Sequence, residues 1–288
     1  MQTDEKTEKD TGTPRLSTAH SRELGEELRR IRHRAAMSSG SVAEALGWSL
    51  GKLSKLETGT RGTSPWEIGT LIGKLGADKP TRDRILIISS ELDTGSFLRP
   101  HNGIPDTLVA LTLHEQAART ITAYEPLAIP ALAQTEDYAY ALTGDRDLAK
   151  ARVIRREIQR RRAAGADTVL YTHEAALRMM TGGPEVMRDQ LLHLTLMCGW
   201  PHITPRVIPM TAQPHAALQS SAALLTFAAP TKPLAYTETD AATVFHDHPS
   251  AVARYQAKMR HLAALALSAA KSHDVIARWA DSYDRKSR

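Results

Sequence analysis

The run Ser39-Gly40-Ser41-Val42-Ala43-Glu44-Ala45-Leu46-Gly47-Trp48-Ser49-Leu50-Gly51-Lys52-Leu53-Ser54-Lys55-Leu56 leaves few ways to fold. Val42, Leu46, Leu53 and Leu56 are spaced to face one another across two short helices. Ala43 is small enough for those helices to cross closely, and Gly47 can take the positive φ that ends the first and begins a tight turn. Ser49 suits the N-cap of the second helix, since its hydroxyl can accept a bond from a free backbone N–H. The pattern is that of a helix-turn-helix. Its second helix is expected to expose Leu50, Gly51, Lys52, Ser54 and Lys55, the side chains available for entering a major groove.

Helical periodicity extends on both sides. Leu24, Leu28 and Ile31 fall on one face of a preceding helix, with Arg29, Arg30, Arg32 and Arg34 mostly elsewhere. Ser64-Pro65 predicts the cap and start of a fourth helix with Ile68, Leu71, Ile72 and Leu75 inside. Pro80 opens a fifth, with Ile85, Ile88 and Leu92 inward. Residues 21–92 thus read as a compact five-helix domain. Residues 1–20 are polar, mixed in charge and without apolar period, and are expected to form a disordered arm. Residues 93–103, rich in Gly, Pro and Asn, read as a linker.

Residues 104–288 have another texture. Short β-like runs at 168–172, 202–209, 222–227 and 234–238 alternate with helical stretches at 135–142, 147–162, 184–198, 249–267 and 272–281. That alternation predicts an α+β domain built on a small mixed sheet flanked by helices.

Composition narrows the function classes. The chain has 288 residues and 42% hydrophobic content, enough for two cores. Aromatic residues make up only 5%, against a single-strand binder that stacks bases. A net charge of +5 is a weak nucleic-acid signal by itself, but between Arg22 and Arg61 eight Lys or Arg stand against five Glu. Cys198 is the only cysteine, so no disulfide within the chain and no thiolate zinc cluster can form. No signal-peptide core and no apolar run of the ~20 residues that a membrane span needs is found. The expected location is the cytoplasm, with no membrane association.

Residues 22–92, with Ala43, Gly47, Leu53 and Leu56 at the expected offsets, resemble the lambda-repressor-like, Xre-type DNA-binding domain. Leu46-Gly47-Trp48-Ser49 followed by Lys52-Leu53-Ser54-Lys55-Leu56-Glu57-Thr58-Gly59 is similar to the actinobacterial, streptomycete-type branch. Tyr124-Glu125-Pro126, Ile129-Pro130-Ala131-Leu132, Glu174-Ala175-Ala176-Leu177-Arg178, Gly182-Gly183-Pro184 and Val207-Ile208-Pro209 resemble the companion C-terminal domain of those regulators. The resemblance implies an antitoxin-like transcriptional regulator whose C-terminal domain binds a small acidic protein encoded nearby. Two departures stand out. Ser39 replaces a usual, phosphate-contacting Gln, and Leu50-Gly51 replaces Gln-Ser where the recognition helix opens. Leu offers a thymine methyl only apolar contact and Gly offers no side chain, so base reading is expected to shift to Lys52, Ser54 and Lys55, with DNA shape adding specificity. Thr58, Thr60 and Arg61 are placed for the phosphate backbone. Such modules usually act in pairs, which predicts a homodimer on double-stranded DNA with an imperfect palindrome.

Rival chemistry is thin. His173-Glu174-Ala175-Ala176-Leu177 has Leu where a zinc-protease helix needs its second His. His215, His246, Asp247 and His248 are weak metal candidates, Gly182-Gly183-Pro184 suits a turn leading into a helix, and Cys198 suits burial better than nucleophilic attack. No catalytic residue, metal or cofactor is expected, and the chain reads as a non-enzyme. The basic run Arg152, Arg155, Arg156, Arg160, Arg161 and Arg162, with Val153, Ile154 and Ile158 turned away, is the expected partner surface, chiefly through Arg152, Arg155 and Arg156. The competing reading of this domain is a sensor for a small-molecule effector.

Overall fold

The computed structural model describes residues 17–60, 64–101, 106–161, 166–239 and 241–287. It divides into two compact units, Met1–Leu92 and Asp93–Arg288. Of the expected arm, residues 1–16 lie outside the described residues, and the first helix begins before residue 21 because Thr18 and Ser21 cap it reciprocally.

The N-terminal unit contains α1 (Ala19–Arg34), α2 (Ser39–Leu46), α3 (Leu50–Glu57), α4 (Pro65–Lys74) and α5 (Lys79–Ser90). Each start has a side-chain cap: Thr18, Ser38, Ser49, Ser64 and Asp78 all accept a bond from a first-turn backbone N–H. Gly47, at φ 65°, ends α2 in the left-handed region. Leu24, Leu28, Ile31, Val42, Leu53, Leu56, Ile68, Leu71, Ile72, Leu75, Ile85 and Ile88 form one core, with Leu46 and Trp48 against its edge. Leu92 corrects the expected inner face: it is 83% exposed. Glu91 leaves the helix in an extended conformation, so Leu92 is no longer one turn beyond Ile88.

The C-terminal unit begins with a strand inside the expected linker, β1 (Ser96–Pro100). Then come α6 (Asp106–Ala117), β2 (Thr120–Glu125), α7 (Glu136–Thr143), α8 (Arg146–Arg161), β3 (Asp167–His173), α9 (Glu174–Arg178) and α10 (Pro184–Met197). β4 (Ile203–Ile208), β5 (Ala222–Thr226), β6 (Leu234–Glu238), β7 (Ala242–His246), α11 (Pro249–Leu265) and α12 (Ala269–Ser287) complete it. The strands make one seven-stranded mixed sheet in the order β1-β7-β6-β5-β2-β3-β4, larger than the small sheet expected. β2, β3 and β4 run parallel, each joined to the next through helices, and the other pairings are antiparallel. The linker reading fails because Ser96–Pro100 pairs with β7 residue by residue, from Ser96 opposite His246 to Pro100 opposite Ala242.

Alternation decides what each sheet face does. Tyr124, Ala222, Leu224 and Ala235 point to the side where Val252, Met259 and Leu262 of α11 close an apolar core. Ala123, Ala223 and Tyr236, one residue out of phase, lie abreast on the opposite side. There α6 and α8 bring Glu115 and Arg155.

Candidate nucleic-acid interface

The position of α3 is fixed from both ends. At its start the Ser49 hydroxyl accepts from the backbone N–H of Lys52 at 3.1 Å. At its end Glu57 is buried and takes two bonds from Arg32, Nε at 2.6 Å and Nη2 at 2.9 Å, while Arg32 Nη1 donates to the Met37 carbonyl at 3.1 Å. Arg32, expected among the outer arginines of α1, is therefore an internal clamp joining α1, the turn before α2, and α3. The Glu57 carboxylate and hydrogen bond hold its guanidinium above the usual arginine range despite burial. Gly25 supplies the room. A Cβ there would stand 2.5 Å from the Glu57 carbonyl oxygen, so α1 meets the end of α3 backbone to backbone.

With α3 so held, Ser49, Leu50, Gly51, Ser54, Lys55, Thr58 and Thr60 are exposed, and Ser39 in the first turn of α2 is partly so. Lys52 differs. Its Nζ lies 2.6 Å from Glu67 Oε1 on α4 and 4.0 Å from the centre of the Trp48 ring, leaving the side chain 21% exposed. Among the described residues, Lys55 forms no such pair. The Thr58 hydroxyl donates to the Ser54 carbonyl at 2.9 Å and lies 3.1 Å from the Thr60 hydroxyl. The two threonines thereby close the C-terminal end of α3, where carbonyls lack helical partners. Arg61 lies outside the described residues. Two side chains missed by the sequence reading border this surface: Glu67, and Trp66, which is 82% exposed. Ser64-x-x-Glu67 has capping-box spacing, and the box is formed, but that spacing carries no hint of the ion pair to Lys52.

The expected partner surface on α8 is corrected. Arg155 is 2% exposed while Ile154 is 61% exposed, so the helix turns Arg152, Arg155 and Arg156 inward, whereas Arg160 and Arg161 stay exposed and Arg162 lies outside the described residues. Arg155 reaches Glu115 at 3.2 Å and Glu238 at 3.6 Å, and Arg152 reaches Glu238 at 3.7 Å. Arg156 donates to the Gln134 carbonyl at 2.7 Å. Carboxylates on α6 and β6 already face this side, and the inner face of α8 supplies the opposite charge that their burial demands.

The other polar candidates have structural roles. His173 caps α9, and Glu174 accepts from the Met210 backbone N–H and from Arg178. Gly182 and Gly183, both at positive φ, lead into Pro184 at the start of α10. Cys198 is half-buried at the end of that helix, and burial raises its thiol pKa. Among the described residues no group of three or more His, Cys, Asp or Glu could hold a metal ion, and no helix is long and apolar enough to cross a membrane.

Residues 23–85 match the family model described as a helix-turn-helix domain. Residues 108–278 match the one described as a domain of unknown function (DUF5753). No curated protein matches the chain. An N-terminal helix-turn-helix supports a DNA-binding regulator, and since the second match covers more than half of its length, the chain belongs to the DUF5753 family.

Proposed function

We propose that this protein is a sequence-specific transcriptional regulator of double-stranded DNA, of the Xre type, acting as a homodimer in the cytoplasm and without catalytic activity of its own. The observation that carries this reading is the exposed face of α3, where Leu50, Gly51, Ser54 and Lys55 project from a helix fixed at both ends. A rigid, capped helix presenting short side chains and the exposed Lys55 ammonium suits insertion into a major groove, with α2 across the phosphates. Base reading falls on Lys55 and Ser54, and on Lys52 once it leaves Glu67. The resemblance to actinobacterial antitoxin-like regulators supports a small acidic protein as partner of the C-terminal domain. The buried Arg155 has no place in that contact.

The test is a gel-shift titration of the full chain on its own upstream DNA, repeated at several salt concentrations. Lys55→Ala is expected to weaken binding and to lower the salt slope by about one. Unchanged affinity in a Lys52→Ala, Lys55→Ala double variant removes α3 as the reading helix.

A further inference from the structure

A tryptophan carries a large apolar surface, and three of the four in this chain lay theirs against other groups. Trp48 packs on the N-terminal core with the Lys52 ammonium over its ring. Trp200 meets His193 edge-on with Arg160 over it, and Trp279 lies against Tyr283 and Arg178. Trp66 is the exception: it is 82% exposed, and among the described residues its ring meets no other ring and no cation. Helical period explains why it stays out. Ile68, Leu71 and Ile72 take the inner side of α4, while Trp66 falls on the outer side with Gly69, Thr70 and Gly73. An added Cβ at Gly69 or Gly73 would meet nothing within 4 Å, and the Thr70 hydroxyl donates to the Trp66 carbonyl at 2.9 Å. The next turns therefore offer the indole no side chain to pack on. Yet the start of α4 borders the reading surface, because Glu67, the following residue, brings Oε1 within 2.6 Å of Lys52 Nζ on α3. Helical side chains lean toward the helix start, where Ser64 and Pro65 are also exposed.

We propose that Trp66 positions α3 by gripping the sugar–phosphate backbone of the duplex, its ring laid on a deoxyribose at the edge of the groove and its Nε1–H donated to a phosphate oxygen. This rests on the reading of α3 as the helix that enters the major groove. The chemistry around the indole favours DNA over a protein partner. A protein anchor of this size sits within a contiguous apolar patch. Here Leu50 is the only other large apolar side chain exposed on α3 or α4, and the remaining exposed positions include Ser54, Lys55, Ser64, Gly69 and Thr70. A nucleic-acid backbone presents apolar sugar faces between anionic oxygens, which a solitary ring with one polar N–H matches at both ends. Such a contact fixes register and orientation and reads no base.

The full chain is titrated in gel shifts with a duplex from its own upstream DNA at several salt concentrations. Trp66→Ala is expected to weaken binding by about 2- to 10-fold. Because no ion pair is lost, its salt slope is expected to match the wild type, unlike that of Lys55→Ala. Trp66→Phe keeps a ring and loses the N–H, so its affinity is expected to fall between the two. The residue is exposed, and neither variant is expected to melt below wild type. Acrylamide quenching of tryptophan emission reads the contact directly. Bound DNA is expected to shield part of the wild-type emission, and that shielding is expected to shrink in Trp66→Phe. Wild-type affinity in Trp66→Ala, or equal shielding in Trp66→Phe and wild type, overturns the proposal and leaves α3 as the reading helix. A loss of affinity that accompanies dissociation of a dimer, seen by sedimentation without DNA, also overturns it and makes Trp66 a contact between copies. A wild type that binds neither this duplex nor a scrambled one at low salt overturns the contact and the regulator reading together.

Discussion

Lys52 and Lys55 are one turn apart on the same helix, and the sequence treats them alike. The structure separates them, because Glu67 on α4 pairs with Lys52 and, among the described residues, Lys55 has no such carboxylate. A phosphate or guanine must compete with that carboxylate for the ammonium, so the pair opposes binding by whatever the partly exposed bridge is worth, about 0.2 to 1 kcal/mol. Glu67→Gln preserves the capping box of α4, which accepts either residue, and releases Lys52. Its expected effect is tighter DNA binding, by about 1.5- to 5-fold in a gel-shift titration, with α4 unchanged by circular dichroism. Weaker binding would mean that Glu67 helps to position Lys52. The same blindness explains Arg32 and Arg155. Helical period places an arginine on a face, but whether that face meets water depends on a carboxylate distant in sequence, Glu57 for Arg32 and Glu115 for Arg155. Nothing local distinguishes a solvated guanidinium from a clamped one.

Elements were legible where a cap or a period announces them. Ser49, Ser64 with Pro65, and Gly47 marked helix ends that the structure keeps, and β3 to β6 fall within a residue or two of the expected runs. Missing from the sequence reading were β1, β2 and β7, each of five or six residues, and the helices α6 and α9. β1 carries Pro100 and sits among turn-forming residues, so only its pairing with β7 makes it a strand. Leu108, Val109, Ala110, Leu111 and Leu113 of α6 leave no clear polar stripe from which to read a period. Close approach between elements is equally hidden, and Gly25 is the test. Gly25→Ala would place a methyl carbon 2.5 Å from the Glu57 carbonyl oxygen. α1 must then move from the end of α3, with an expected loss of about 1 to 3 kcal/mol in denaturant unfolding and weaker DNA binding. Gly69→Ala is the control, with no atom within 4 Å of its added Cβ. In mid-helix it is expected to stabilise the unit by about 0.4 to 1 kcal/mol.

At the scale of the whole molecule, both fold classes were legible in the sequence, whereas the size and order of the sheet emerge only from pairings between distant strands. The proposed regulator needs more than one unit of this kind on its operator. α3 has eight residues, and its exposed face offers the Lys55 ammonium and short side chains, too few contacts for specific binding by a single copy. Two copies related by a twofold axis double the contacts only if both half-sites face the same side of the duplex, which sets their centres about one helical turn apart, roughly 34 Å. Inserting about 5 base pairs between the half-sites turns one of them to the far side, and about 10 restores the facing at greater distance. Binding of the full chain in gel shifts is therefore expected to drop sharply with the half-turn insertion, to the affinity of an isolated half-site. The full-turn insertion is expected to recover part of that loss, to the extent that the dimer can stretch. Indifference to both insertions would mean that each subunit binds alone, and the homodimer would then have no part in reading DNA.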